Sequence, residues 1–78
     1  MNILVEDFTT NIIHQKAEYV LKDNEVEVWY NGVIMFIYGT LKKQLVNVYN
    51  IDAEIPDFKP KKYNYVDGEV VANPEYEG

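Results

Sequence analysis

Apolar and polar positions alternate with a period of two through the first half of the chain, most clearly over residues 17–30. That period is the signature of half-buried strands. Asn31-Gly32 and Asp67-Gly68 each interrupt β-rich runs. Such dipeptides suit two-residue hairpin loops, because both central residues need positive φ. Asp23-Asn24 is a weaker turn signal of the same kind.

These turns force a register. A loop at Asn31-Gly32 pairs Tyr30 with Val33, Val28 with Met35 and Val26 with Ile37. A loop at Asp23-Asn24 pairs Lys22 with Glu25, Leu21 with Val26 and Tyr19 with Val28. The two assignments agree on which face each residue takes. One face gathers Ala17, Tyr19, Leu21, Val26, Val28, Tyr30, Val33, Met35 and Ile37, all apolar or aromatic. It is the expected core face. A slip of one residue at either turn would carry Glu25 and Glu27 inward.

The opposite face carries Glu18, Val20, Lys22, Glu25, Glu27 and Trp29, then Ile34, Phe36 and Tyr38. Half of it reads as solvated and half as covered. The cover is expected from Ile3 to Phe8, from Leu41 to Ile51, or from another subunit. In the last case Trp29, Ile34, Phe36 and Tyr38 form a protein interface, since aromatic residues are favoured at binding cores.

Elsewhere, Asn2 to Glu6 reads as a strand and Thr9 to Asn11 as a turn. Leu41 to Gln44 reads as a short helical turn, with a β-branched, aromatic strand after it. Pro56 and Pro60 mark a Pro/Lys linker over 52–62. A hairpin around Asp67-Gly68 pairs Val66 with Glu69 and Tyr65 with Val70, and 73–78 forms a tail. The expectation is one small domain, 1–78. It is mainly β, with an antiparallel meander (about 16–38), a C-terminal hairpin (about 63–72) and one short helix. An α+β arrangement is the alternative.

Charge and composition narrow the function. The chain has 78 residues and a net charge of −6, with 13 acidic groups against 7 lysines and no arginine. That balance disfavours direct nucleic-acid binding. Lys59, Lys61 and Lys62 beside Tyr63 and Tyr65 read as a solvated linker rather than a nucleic-acid patch. No apolar run approaches the roughly 20 residues of a membrane span, and Met1 to Phe8 lacks a basic leader. No membrane or secretory role is expected.

Candidate chemistry is thin. Cysteine and serine are absent, and His14 is the one histidine. Zinc spacing and a nucleophile–base–orienter set are therefore missing. Asp52, Glu54 and Asp57 offer oxygen ligands, but not at the spacing of a helix–loop–helix calcium loop. The expectation is no enzyme, no cofactor and no metal.

One segment has a familiar look. It runs Ile55-Pro56-Asp57-Phe58-Lys59-Pro60-Lys61-Lys62-Tyr63-Asn64-Tyr65-Val66, then Asp67-Gly68-Glu69-Val70-Val71-Ala72-Asn73-Pro74-Glu75-Tyr76. It resembles the C-terminal end of many short phage and prophage proteins of Gram-positive bacteria, encoded in the tail, baseplate and tail-fibre region. The shared elements are a Pro-Asp-Phe lead, a Lys-Tyr-x-Tyr strand, an Asp-Gly turn, an apolar strand, and Asn-Pro before an aromatic. The resemblance covers about the last quarter of the chain and carries no catalytic residues. It implies a structural or accessory protein of a phage tail, in the host cytoplasm or the virion. Its partner would be a tail component or itself as a homo-oligomer. An alternative function is an acidic inhibitor of a host nucleic-acid-binding or defence protein. Glu18, Glu25 and Glu27 would then imitate phosphates, with the last two about 7 Å apart by strand geometry.

Overall fold

The computed structural model describes residues 1–77. It contains eight strands: β1 (Asn2–Glu6), β2 (Ile12–Gln15), β3 (Glu18–Leu21), β4 (Val26–Tyr30), β5 (Val33–Tyr38), β6 (Val46–Asn50), β7 (Tyr63–Val66) and β8 (Glu69–Ala72). One short 3-10 turn, Lys43–Leu45, precedes β6. All strand pairs are antiparallel. The fold is mainly β, a meander and a hairpin, as the alternation and turns require.

The strands form three sheets, ordered β2-β1-β6, β3-β4-β5 and β7-β8. The first contains the strand on which the others depend. Ile3, Leu4 and Val5 of β1 are consecutive and all buried. Three apolar residues in a row suit a strand covered on both faces. Ile3 and Val5 pack with Ile12 and Ile55, against Tyr63, Tyr65 and Val70 of the hairpin. Leu4 packs with Ile13 and Val46 on the other side, against Val26, Tyr19, Leu21 and Tyr38 of the meander. The central sheet thus separates two small cores. Fully burying each such side chain contributes about 1.5–3 kcal/mol.

The linker is fastened as well as threaded. The Gln15 side-chain amide donates to the Ile55 carbonyl at 2.9 Å, and its oxygen accepts from the Ile55 N–H at 3.0 Å. A side chain here imitates a strand and holds Ile55 over the core. Residues 73–77, read as a tail, include an anchor: the Asn73 amide donates to the Lys61 carbonyl at 2.8 Å. Gly78 lies outside the described residues.

Both dipeptide turns adopt the expected shape, with positive φ at Asn31, Gly32, Asp67 and Gly68. Leu21 faces Val26, and Tyr19 faces Val28, as the charge pattern demands. Tyr65 faces Val70 in the second hairpin.

The register of β5 differs from expectation. Tyr30 faces Val33 and Trp29 faces Ile34, but Val28 then faces Phe36 and Val26 faces Tyr38. Met35 is the extra residue of a bulge, which turns the rest of the strand over. Met35 and Ile37 do not enter the core. Phe36 and Tyr38 do not share the outer face with Trp29. The cause is in the rings: Phe36 packs edge-on against His14 and Tyr38, with centroids 5.5 and 5.1 Å away.

Deleting Met35 would leave each remaining β4–β5 pair in place and remove only the bulge. The variant should fold with Val28 still opposite Phe36, read as cross-strand nuclear Overhauser contacts. Its stability should stay within about 1 kcal/mol of the parent. Cross-strand contacts between Val28 and Met35 in the parent would show the regular register instead.

Candidate protein-binding surface

The central sheet covers only one face of the meander. The segments expected to cover the Trp29 face, which become β1 and β6, instead cover the opposite face. They lie over Tyr19, Leu21, Val26 and Tyr38, on the side away from Trp29. The outer face, with Glu18, Glu27, Trp29, Ile34 and Ile37, has no layer over it among the described residues.

Position by position, the proposed interface divides in two. Trp29 and Ile34 remain on the outer face, paired with each other. Phe36 and Tyr38 turn inward at the bulge. Ile37 takes their place outside, opposite Glu27. Exposure follows: Val33 is 64% exposed, Met35 60%, Ile37 46%, and Ile34 and Phe36 40% each. Sequence reasoning missed Val33, Met35 and Ile37 because it assigned them to the core. Their exposure makes β5 an apolar strip along the sheet margin.

β5 is also an edge strand, bonded among the described residues to β4 and to no other strand. Edges of this kind are usually guarded by lysine or proline. Here no Asp, Glu, Lys or Pro occurs from Val28 to Leu41. Beside the end of the strand lies a groove of about 500 Å³, lined in part by Ile13, Ile37, Tyr38, Leu41 and Pro60. An uncharged edge with a hollow beside it, whose lining also includes Glu6 and Lys61, can offer both main-chain pairing and side-chain burial.

The acidic residues of the meander are arranged differently. Lys22 stands 2.8 Å from Glu27 and 4.0 Å from Glu25. The hydrogen bond to Glu27 raises the Lys22 pKa. The Glu27 carboxyl is held low by hydrogen bonds from Lys22 and the Trp29 indole. One lysine thus serves both carboxylates, and Glu18 alone of the three lacks a salt bridge among the described residues.

The remaining candidate chemistry does not converge. Glu54 pairs with Lys16, and Asp57 pairs with Lys62 and accepts from the Tyr63 hydroxyl. No group of three His, Asp or Glu suited to a metal ion occurs among the described residues. The Thr9 hydroxyl donates to Glu6, and the Thr10 hydroxyl to the Thr9 carbonyl. His14 instead lies between the sheets, half-buried, with Nδ1 2.8 Å from the Tyr19 hydroxyl.

Burial lowers the His14 pKa from its ordinary 6.5 and raises that of Tyr19. The folded protein therefore prefers neutral imidazole, hydrogen-bonded to the Tyr19 hydroxyl. The unfolded chain protonates near 6.5. Stability from this group is full above that pH and is lost as pH falls below it. Urea midpoints should drop between pH 7.5 and 5.5 in the parent and stay level in His14→Gln. An equal drop in both proteins would assign the acid loss to other groups.

Comparison with known proteins returns no family model, no curated protein and no solved structure that matches this chain.

Proposed function

We propose that the chain is a non-enzymatic protein-interaction module that binds through the β5 edge. Its setting is the tail or baseplate of a phage, as a structural or accessory protein. One observation carries the binding surface: β5 is an edge strand, uncharged throughout, with five of its six residues largely exposed. Soluble monomers rarely expose contiguous apolar patches beyond a few hundred Å² unless these bind something. The setting rests on the resemblance of residues 55–76 to phage tail-region proteins.

The mode that fits is strand addition. Main-chain groups supply affinity, and alternate side chains supply selectivity. Ile34 and Ile37 are the outward anchors, with Trp29 beside Ile34 as a rigid aromatic flank.

A photo-reactive amino acid at position 37 tests this. In cells producing the protein with its natural neighbours, light should join position 37 to a defined protein. The same group at position 59, on the exposed linker, should give far less. Equal or absent adducts at both positions would remove β5 as the contact.

A further inference from the structure

We propose that the partner of the β5 edge is a second copy of this chain, paired antiparallel about a twofold axis through the bulge. The inference rests on the binding role given to β5 above and adds the identity of its occupant.

Charge is the first support. Each chain carries −6, so two copies repel at long range, and least at close range where they meet on an uncharged surface. The stretch Val28 to Leu41 provides that place, with no ionisable carboxylate or lysine in it. A twofold axis sets a surface against itself, and like charges near it would face each other. None would do so here. A basic partner would gain nothing from this strip and would be drawn to the acidic remainder of the chain.

Face parity is the second support. In a regular strand, residues three apart point to opposite faces. The bulge at Met35 reverses this. Ile34 and Ile37 both face outward, and Val33 and Tyr38 both face inward, as their partners on β4 show. A twofold axis through the bulge sets Ile34 opposite the partner's Ile37. Val33 then lies opposite the partner's Tyr38. Both of these cross-strand pairs are apolar and on one face, which is the arrangement that stabilises sheets. The partner's Val33 would also reach the mouth of the groove beside Tyr38.

Area sets the strength. The proposed contact is a single six-residue edge strand, whereas a standard stable interface buries roughly 800 Å² per partner. The expected state is a concentration-dependent monomer–dimer equilibrium rather than a permanent dimer. Raising salt should strengthen it, because salt screens the repulsion between acidic bodies and leaves apolar pairing intact.

Sedimentation equilibrium on the full chain, over a wide concentration range at low and high salt, reads the mass. A dimer that strengthens with salt is expected. Ile34→Lys and Ile37→Lys should each weaken it more than about tenfold. Val71→Lys, on the exposed side of β8, should not. Circular dichroism and urea midpoints confirm that each variant folds. Because cysteine is absent from the chain, register can be read directly. A mixture of Ile34→Cys and Ile37→Cys chains should join by a disulfide on mild oxidation, and each alone should join far less. A chain that stays monomeric overturns self-pairing. So does a dimer indifferent to both lysine variants, or an Ile37→Cys chain that joins as readily alone. A monomer whose position 37 still photo-labels a different protein would reject the twofold pairing and leave the binding role of β5 standing. A monomer without any such adduct would reject both.

Discussion

Burial of β1 on both faces is the constraint from which the rest of this architecture follows. The strand lies between β2 and β6 in its sheet, so its edges are occupied too. Small domains without disulfides must find stability in a short list of well-packed residues. Here that list is Ile3, Leu4 and Val5, each completing a different contact. Two of them hold the hairpin and linker, and the third holds the meander. The chain therefore spends its core on the two faces of one thin sheet. The outer faces of the outer layers have nothing left to cover them.

The consequence differs between the two outer layers. On the hairpin, Glu69 and the Asp67-Gly68 turn lie in water beside the partly exposed Val66 and Val71. On the meander, the outer face is charged on β3 and β4 but apolar on β5. The change in character happens within one sheet, so solvent exposure alone does not explain it. Lys22 already neutralises part of the charged half by pairing with Glu27. The apolar half has no such internal partner among the described residues, and that asymmetry is the ground for the binding role proposed for β5.

How much of this was legible depends on where the sequence marks parity. On β3 and β4 the glutamates mark it, because Glu25 and Glu27 cannot enter the core. The register read there matches the structure. On β5 each residue from Val33 to Tyr38 is apolar or aromatic, so no position declares its side. A bulge in such a strand leaves no trace in the hydrophobic pattern, and the faces of Met35, Phe36, Ile37 and Tyr38 were read reversed. Covering was half legible for a related reason. Composition shows that 3–8 and 41–51 need burial, but not which of two apolar faces receives them. The grip of Gln15 on Ile55 was invisible, since a glutamine carries no sign of a partner 40 residues away.

The bulge links the core to the edge. Bulges usually protect an edge by twisting it away from would-be partners. This one also serves the interior, because it turns Phe36 towards His14 and brings Tyr38 against the cluster of Leu4, Ile13, Val26 and Val46. The same turn sends Ile37 outward. One extra residue thus divides β5 into side chains that hold the fold and side chains that face outward. Loss at Phe36 or Tyr38 acts first on stability, through the aromatic contacts between the sheets. Ile34 and Ile37 lie outside both buried clusters, so loss there leaves the core intact. His14 packs edge-on against Phe36, on the inner side of the strand. Interior and edge are therefore separable by mutation, although they occupy alternate positions of a single six-residue strand.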